Sequence, residues 1–344
     1  MDKRITSTVL FFMAFIVAIL LSGCSAKSTK PLSRTQFALD TYCTITIYDP
    51  MPQKVLDDGF KSIKDIENKM SANIKSSEVS RINEYAGIEP VKVSYDTLYV
   101  IKKAVYFADL EKGYFDVTIG PIVNLWNIGT DKARVPSPQE IKDKLPLVNY
   151  KGIVFDDKNR TIMLKNKGMS IDLGGIAKGY AADKAAETLK AEGVKHAIIN
   201  LGGNVLTIGT KPDGHPWRIG IQTPFKPRGD YLGIVEVSNK AVVTSGVYER
   251  YFEKNGMLYH HLLNPFTGYP TDNHLYSVTI ITDKSVDADA LSKTFIMGLD
   301  QGMKLVKSLK GVQAIFVTDD KQVYITPGLK GSFKITDPSY NLKN

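Results

Sequence analysis

The sequence predicts an α+β fold with mixed, largely antiparallel sheets and helices. Short runs of β-branched and aromatic residues follow one another through the second half of the chain, separated by Gly, Pro, Asn and Asp. Only a few segments repeat apolar residues at helical spacing. Strands and helices do not alternate strictly, which favours α+β over a parallel doubly wound sheet. The 344 residues suit one large domain or two closely packed lobes.

The individual elements follow from these periodicities and from the turn residues between them. Strands are predicted at residues 37–48, 153–155, 161–164, 170–173, 197–201, 218–222, 233–237, 259–263, 275–282, 312–318 and 322–325. Helices are predicted at residues 54–70, 95–112, 175–191 and 286–297. Cys43 lies in the first of these strands, where we expect it to be a small buried hydrophobic residue.

The first 24 residues predict an export signal. Lys3 and Arg4 precede an apolar run of 13 residues at 9–21, which is short for a membrane span. The Leu-Ser-Gly-Cys that follows resembles a bacterial lipobox, so we expect lipidation of Cys24; the alternative is an uncleaved anchor helix. Acyl chains there would hold the protein at the extracytoplasmic face of the cell membrane. The expected division is a signal peptide at 1–23, a tether at 24–34 and a folded domain at 35–337.

The net charge of +8 is spread along the chain. Loss of Asp2, Lys3 and Arg4 with the signal peptide would leave +7. Because the lysines form no block and no basic stripe with interleaved aromatic residues, we expect no nucleic-acid partner. The charge suits solubility, a weak attraction to anionic membrane surfaces, or a positive cleft for phosphates.

A strand–turn–helix junction at residues 172–180 is the first candidate site. Asp172 ends the predicted strand, two glycines open the helix, and Lys178 lies in its first turn. Glycines allow a ligand to approach the backbone, and a helix start suits a phosphate. The spacing of a Walker loop is absent, and a plain junction with a surface lysine explains the pattern equally well. A second glycine pair, Gly202–Gly203, by itself indicates a tight turn.

Ser245 and His261 form the next candidate pair. His261 ends a predicted strand just before a turn, where a histidine could act as a general base or bind a phosphate oxygen. Ser245 lies in a Thr-Ser-Gly turn and could donate a hydrogen bond or act as a nucleophile. A Ser–His–Asp hydrolase stays open, although no GxSxG elbow surrounds the serine. Taken singly, a capping serine and a hydrogen-bonded structural histidine are the simpler interpretations.

Two further groups combine carboxylates with other side chains. Asp287 and Asp289 lie at a predicted helix start, where they could cap the helix or bind Mg²⁺ together with substrate phosphates. Tyr114 and Phe115 precede Asp116, and aromatic rings beside a carboxylate could hold a flat ring and accept its N–H groups. Taken by itself, that segment is explained more simply by core packing of Phe115 and Trp126.

Taken together, these segments resemble the ApbE family of FAD:protein FMN transferases. The resemblance runs from about residue 35 to residue 317, so it covers the folded domain, and it keeps the motifs in order. The matching segments are FDVTIGP…NLW, DLGGIAKGYAAD, NLGGN, TSGVYER, HHLLNPFTGYP and DADALS.

The resemblance implies two closely packed lobes with a flavin site between them, and it implies roles for single residues. The residues expected to bind FAD are Thr41, Tyr114, Phe115, Asp116, Asp172, Lys178 and Leu263. The expected catalytic residues are His261, Ser245 and Asp289. The expected Mg²⁺ ligands are the Gly175 carbonyl, Asp289 and Thr294.

One position departs from the family pattern. The resemblance implies a threonine ligand four residues after the metal aspartate, and Lys293 stands there. A protonated lysine cannot be a metal ligand. We therefore expect Thr294, after a local shift, or a water molecule to complete the site.

The resemblance also implies the reaction. The enzyme would require Mg²⁺ and transfer FMN from FAD to a Ser or Thr hydroxyl of an extracytoplasmic redox protein, forming a phosphoester and releasing AMP. Two alternatives stay open. An FAD pyrophosphatase would use water in place of the hydroxyl, and a non-catalytic FAD-binding lipoprotein would leave Asp289, Ser245 and His261 unexplained.

Overall fold

The computed structural model describes residues 30–343, and most of its strands join one large sheet. The strands are β1 (Leu32–Ala38), β2 (Thr41–Ile47), β3 (Val91–Lys92), β4 (Ile153–Asp156), β5 (Thr161–Leu164), β6 (Ala197–Leu201), β7 (Asn204–Ile208), β8 (Trp217–Gln222), β9 (Tyr231–Val237), β10 (Ala241–Gly246), β11 (Tyr251–Lys254), β12 (Met257–His260), β13 (Leu275–Thr282), β14 (Gln313–Thr318), β15 (Gln322–Ile325), β16 (Phe333–Ile335) and β17 (Asn341–Lys343). The helices are α1 (Gln53–Met70), α2 (Glu78–Glu84), α3 (Tyr95–Leu110), α4 (Gly120–Trp126), α5 (Pro138–Lys144), α6 (Ala177–Ala191), α7 (Ser285–Leu291) and α8 (Thr294–Ser308). Short 3₁₀ turns lie at Leu145–Leu147, Tyr150–Gly152 and Pro327–Leu329.

The large sheet has nine strands in the order β1-β2-β6-β7-β10-β13-β14-β15-β17. Its neighbouring strands are antiparallel except β15 and β17, which are parallel. Two three-stranded sheets, β16-β9-β8 and β3-β5-β4, and the hairpin β11-β12 are antiparallel as well. The predicted α+β fold with largely antiparallel sheets is confirmed.

The central strands are buried on both faces. Successive side chains of a strand point to opposite sides of the sheet, so neighbouring residues belong to different hydrophobic clusters. Val243 of β10 and Ile280 of β13 belong to the cluster beneath the helices. Their neighbours Val242 and Ile281 pack with Trp217 of β8 in a second cluster, beneath the small sheet β16-β9-β8. Helices α1, α6 and α7 pack against one another in that order. The result is three layers, with the large sheet in the middle and one hydrophobic cluster on each side.

The predicted strand at 37–48 is a hairpin instead. Strands β1 and β2 pair across a turn at Leu39 and Asp40, whose φ angles are 54° and 55°. A two-residue turn with positive φ at both positions matches the twist of a hairpin, but it usually carries Gly or Asn. Because Leu39 is apolar, the turn interrupts neither the apolar nor the β-branched pattern of residues 37–48, and the sequence predicts one continuous strand there. Strand β1 also begins at Leu32, within the segment predicted as a tether.

The predicted strand at 170–173 is not a regular strand. Only Ser170 forms a bridge, with Ile119. The backbone of Ile171 is bonded instead by a side chain: Asn83 Nδ2 donates to its carbonyl oxygen at 2.9 Å, and its N–H donates to Asn83 Oδ1 at 2.6 Å. The side-chain amide of Asn83 thus forms the two backbone hydrogen bonds that a neighbouring strand would form. Such a contact produces no periodic pattern in the sequence.

The predicted helix at 286–297 is divided. Helix α7 ends at Leu291, and α8 begins at Thr294 and is interrupted at Gly298, where φ is 79°. The hydroxyl of Ser292 donates to the Asp289 carbonyl oxygen at 2.6 Å. Such side-chain bonds compete with helical backbone bonds, and the break directs residue 293 into the site described below.

Cys43 is buried, as predicted, and burial raises the pKa of its thiol to about 11. The chain from Pro31 onwards forms one compact unit, so the predicted lobes are not separable domains. No helix between residues 30 and 343 has the length and apolar character to cross a membrane. The predicted signal peptide and Cys24 lie outside the described residues.

Candidate active site

A cavity of about 640 Å³ lies where several strands of the large sheet end. Its lining comes from the turns after β1 and β6, the end of β10, the start of α6 and the segment after β12. The sequence-predicted site residues in this lining are Thr41, Tyr114, Phe115, Asp116, Asp172, Gly175, Lys178, Ser245, His261, Leu263 and Asp289. The structure therefore brings these residues to one place, although their individual roles stay predictions.

Asp289 is buried against the start of α6, with 1% of its surface exposed. Its Oδ2 accepts the Gly179 N–H at 2.9 Å. A Cβ at Gly179 would lie 2.3 Å from the Ser285 carbonyl oxygen, so the glycine permits the close packing of α6 and α7 that makes this bond possible. Because the Gly179 N–H is used in this way, it is not donated to the carbonyl of Gly175, the usual partner one helical turn earlier.

Asp183 holds the same two helices together four residues further along α6. Its carboxylate accepts the N–H groups of Ser285 and Val286, both at 2.9 Å. Burial raises the pKa of this carboxyl to about 6, although the two N–H groups act in the opposite direction. By satisfying the first N–H groups of α7, Asp183 sets the position of Asp289.

Lys293 extends from the break between α7 and α8 into the cavity. Its Nζ donates to the hydroxyls of Ser245 and Ser292 at 3.0 and 3.1 Å. It also lies 3.9 Å from Asp289 Oδ1, and Lys178 Nζ lies 4.0 Å from the same oxygen. Burial lowers the pKa of Lys293 to about 8, against the opposing effect of Asp289. We call Lys178, Ser245, His261, Asp289 and Lys293 the cationic side of the cavity.

The Ser245 hydroxyl is engaged with its neighbours rather than with a histidine. It lies 2.7 Å from Ser292 Oγ, whose own proton is donated to the Asp289 carbonyl, so Ser245 is the donor of this pair. Within the described residues, no hydrogen bond joins Ser245 to His261. This arrangement gives no support to the Ser–His–Asp hydrolase.

Thr294 does not line the cavity, contrary to the prediction of a metal ligand there. Its side chain is fully buried, and its hydroxyl has no hydrogen-bond partner among residues 30–343. The expected local shift, which would have brought Thr294 to the metal site, does not occur. The break between α7 and α8 places Lys293 in the cavity instead.

His261 follows β12 at the rim of the cationic side. Its Nδ1 lies 3.3 Å from the Arg250 carbonyl oxygen. A carbonyl only accepts, so Nδ1 carries the proton and the lone pair is on Nε2. Burial, and then the charges of Lys293, His260 and Arg250, lower the pKa of the imidazole to about 3, so it is neutral at pH 7. Its neighbour His260 is a structural residue, buried and bonded to the Thr271 carbonyl at 2.8 Å.

The opposite lining contains Tyr114, Phe115 and Asp116, which we call the aromatic side. Tyr114 packs edge-on against Phe266 with ring centroids 5.0 Å apart. The Asp116 carboxylate is saturated: Oδ1 accepts the N–H and the hydroxyl of Thr118 at 2.7 and 2.6 Å, and Oδ2 accepts the Tyr150 N–H at 2.9 Å. Burial raises the pKa of this carboxyl despite these bonds.

The two sides meet at Gly175. A Cβ there would lie 3.1 Å from Lys293 Cε and 3.2 Å from the Phe115 ring, so glycine admits both side chains. The preceding Asp172 accepts the Gly174 N–H at 2.7 Å and shapes this turn. Lys178 closes it by donating to the Gly174 carbonyl at 2.7 Å.

Thr41 and Leu263 occupy the remaining sequence-predicted positions. Gly202 has a φ of 62°, and a Cβ there would lie 2.2 Å from Thr41 Oγ1, which explains the glycine after β6. Leu263 is buried and forms a backbone bridge with Pro270. Gly202, next to Thr41, and Leu263 both belong to the lining of the cavity.

Sequence reasoning assigned no role to Asp183 or Arg250, although both lie within recognised motifs. Arg250 Nη2 donates to the Asp40 carbonyl at 3.0 Å and joins the β1–β2 turn to the cavity. A carboxylate four residues after Gly179, at the end of the DLGGIAKGYAAD motif, could have suggested Asp183. No comparable signal pointed to Arg250, because the turn it contacts was itself not predicted.

The chain is similar to known proteins in both sequence and fold. The family model described as the ApbE family matches residues 39–316. The FAD:protein FMN transferase of Treponema pallidum is 32% identical over 359 residues, covering 98% of this chain and 99% of that protein. An FAD:protein FMN transferase of Klebsiella pneumoniae is 36% identical over 284 residues, covering 82% of this chain and 88% of that protein.

Solved structures give the same result. The crystal structure of the ApbE protein from Thermotoga maritima superposes with a TM-score of 0.81 at 36% identity, covering 88% of this chain and 99% of that chain. The flavin transferase ApbE from Vibrio cholerae superposes with a TM-score of 0.78 at 27% identity, covering 88% and 98%. The similarity extends over most of the sequence and over the fold, and the chain belongs to the ApbE family.

Proposed function

We propose that the protein is an FAD:protein FMN transferase that moves FMN from FAD to a Ser or Thr hydroxyl of an extracytoplasmic redox protein. The product is a phosphoester, and AMP is released. The observation that carries the proposal is one cavity in which an aromatic side and a cationic side meet at a glycine-opened helix start. FAD has the same division between a flat ring system and a diphosphate. The relatives named FAD:protein FMN transferase support the same activity.

The aromatic side suits the isoalloxazine ring. Tyr114 and Phe115 give this wall apolar surface, and the cavity volume of about 640 Å³ lies within the range of small-molecule sites. Both oxygens of the Asp116 carboxylate accept hydrogen bonds from Thr118 or Tyr150, and these bonds hold the backbone that follows Phe115.

The cationic side suits the diphosphate. Lys178 and Lys293 bring two ammonium groups close to the start of α6, where the positive end of the helix dipole also favours an anion. Gly175 and Gly174 leave this backbone accessible, since neither carries a side chain. The phosphates would then lie between α6 and the segment that carries His261.

The donor set also fits Mg²⁺ bound together with the diphosphate. Within residues 30–343 no cluster of three or more His, Cys, Asp or Glu side chains could hold a metal. Asp289 Oδ1 and the Gly175 carbonyl are hard oxygen donors, and Mg²⁺ often binds one or two protein oxygens with phosphates and water completing its shell. When bound, Mg²⁺ would neutralise charge on the diphosphate and on the departing phosphate.

His261 is the base in this proposal. The acceptor hydroxyl oxygen bonds to the phosphorus on the FMN side of the diphosphate, and its proton passes to Nε2 of the neutral imidazole. The P–O bond to the AMP half breaks, and AMP leaves with that electron pair. A hydroxyl is a weak nucleophile at neutral pH, and assistance by a base whose pKa lies near the working pH is worth roughly 10²–10⁴-fold in rate. The negative diphosphate of bound FAD would offset the neighbouring cations and raise the pKa of His261 from about 3 towards that range.

Mass spectrometry of an exported flavoprotein incubated with the enzyme, FAD and Mg²⁺ tests the proposal. We expect covalent FMN on one Ser or Thr with an equal amount of AMP, and no label on an acceptor whose hydroxyl residue is alanine. Free FMN beside an unmodified acceptor would identify an FAD pyrophosphatase. Intact FAD in a bound form would identify a non-catalytic flavin-binding protein.

The proposal includes a location. An exported acceptor requires an exported enzyme, and the lipobox-like Leu-Ser-Gly-Cys ending at Cys24 supports a lipid anchor at the extracytoplasmic face. The Cys24→Ala variant should move from the membrane fraction to the soluble fraction after cell lysis. Its retention in the membrane fraction would contradict the lipid anchor.

A further inference from the structure

We propose that Lys293 is an internal cation that binds the diphosphate of FAD without a metal ion and prevents Mg²⁺ from binding before FAD. The inference rests on the proposed function, since it concerns how the same cavity holds its substrate. It predicts an order of binding in which FAD enters first and Mg²⁺ joins the FAD complex.

The position of Lys293 carries the first step. Its Nζ lies 3.9 Å from Asp289 Oδ1, and its Cε lies 3.1 Å from the point where a Cβ on Gly175 would stand. The ammonium group therefore lies beside both residues that offer oxygen to a metal. Hydrogen bonds from Nζ to Ser245 and Ser292 keep it there.

The local charge carries the second step. Asp289 supplies one negative charge, while Lys178 and Lys293 supply two positive charges at 4.0 and 3.9 Å from its Oδ1. A divalent cation beside Asp289 would be attracted by this one carboxylate and repelled by two ammonium groups that lie within about 4 Å of the same oxygen. The diphosphate of FAD adds two negative charges and reverses this balance, so the metal ion gains affinity only after FAD is bound.

A buried acid near Lys293 does not cancel its charge. Glu111 is fully buried, and neither of its carboxylate oxygens has a hydrogen-bond partner among residues 30–343. Burial raises the pKa of this carboxyl well above its usual value, although Lys293 acts in the opposite direction. Burial without a hydrogen-bond partner thus disfavours the charged form of Glu111, which limits how far this carboxyl can offset the positive charge of the cationic side.

Equilibrium binding of FAD in EDTA tests the first half of the proposal. The wild-type protein should bind FAD without metal, and the Lys293→Gln variant should bind it about 10- to 100-fold more weakly, the range for loss of one charge-assisted hydrogen bond. Lys293→Arg keeps the charge and should bind at nearly the wild-type level. Lys304→Gln, at an exposed position of α8, is the matched control. Equal affinity of Lys293→Gln and wild type in EDTA would overturn the proposal.

Calorimetric titration of the wild-type protein with Mg²⁺ tests the second half and needs no variant. We expect no measurable binding without FAD and clear binding to the FAD complex, while Lys293→Gln should bind Mg²⁺ without FAD. Binding of Mg²⁺ to the FAD-free wild type as tightly as to the complex would overturn the proposal. These measurements do not depend on transfer: if FMN transfer fails while the binding order holds, only the proposed reaction is refuted.

Discussion

The two sides of the cavity use their carboxylates in different ways. On the aromatic side, both oxygens of Asp116 accept hydrogen bonds from Thr118 and Tyr150. On the cationic side, Oδ2 of Asp289 accepts one backbone N–H, while Oδ1 lies beyond hydrogen-bond distance of two ammonium groups. Both oxygens of Asp116 are engaged in bonds that stabilise the fold, whereas Oδ1 of Asp289 remains available to a ligand.

This difference separates two roles that the family resemblance groups together. The resemblance places both aspartates among the site residues, and both line the cavity. The hydrogen bonds of Asp116 and Asp289 distinguish the two residues. A carboxylate whose two oxygens both accept hydrogen bonds cannot rotate towards a ligand without leaving the donor groups unpaired. We therefore expect substitutions on the two sides to affect different measurements.

The largest effect should follow Asp289→Asn. Asparagine can still accept the Gly179 N–H, so the packing of α6 on α7 is kept, but the negative charge beside the diphosphate is lost. We expect FMN transfer to fall by about 100- to 1000-fold, as for loss of one group that stabilises transition-state charge. The transfer rate at saturating FAD and Mg²⁺ is the measurement.

Asp287→Asn is the control for that experiment, because Asp287 lies on the same helix and pairs with Lys103 at 2.9 Å, outside the cavity lining. Its transfer rate should stay close to that of the wild type. A fully active Asp289→Asn enzyme would show that the free oxygen of Asp289 has no part in the reaction.

Asp116→Asn should lower the stability of the protein more than its rate of FMN transfer, in contrast to Asp289→Asn. Its amide nitrogen would face either Thr118 or the Tyr150 N–H, and a buried donor opposite another donor costs about 1–3 kcal/mol. We expect chemical denaturation to show this loss in the free energy of unfolding, with little change in transfer by the folded fraction. Asp109→Asn, at an exposed residue that accepts the Tyr150 hydroxyl at 2.8 Å, should change stability by less than about 0.5 kcal/mol. A drop in transfer without loss of stability would contradict the structural role of Asp116.

The sequence was sufficient for most of the fold and for the composition of the cavity. Periodicity located α1 and α3, and glycines marked α6 and the turn after β6, because each of these features has a local cause. The motifs then placed Asp289, Ser245 and His261 in one site, since their order matched that of a known family.

The errors arose where a distant contact decides the local structure. The turn at Leu39 and Asp40 carries no usual turn residue, and Ile171 is bonded by the side chain of Asn83 rather than by a strand. Thr294 was expected in the cavity as a metal ligand only after a local shift of one continuous helix, because counting four residues from Asp289 reaches Lys293. The break after Leu291, where Ser292 bonds back to Asp289, placed Lys293 there instead.

The last expected effect concerns how the free energy of unfolding depends on pH, and its sign should differ between the two sides of the cavity. Burial and neighbouring cations hold the pKa of His261 at about 3 in the folded protein, against an ordinary value of 6.5. Between these values the unfolded chain binds a proton that the folded protein does not, so this contribution to stability is present above pH 6.5 and is lost as the pH falls. Relative to wild type, His261→Gln should therefore gain stability as the pH is lowered from 7 to 4.

Asp116 supplies the contrast in the same experiment. Its pKa is raised above the model-peptide value of 3.8, so its contribution is present below that pH and is lost as the pH rises through the folded pKa. The penalty of Asp116→Asn relative to wild type should accordingly be greatest at low pH. Urea unfolding at pH 4, 5.5 and 7 measures both differences. If the His261→Gln difference were constant over this range, the imidazole would titrate equally in both states, and its neutral form could not be assigned to burial beside Lys293 and Arg250.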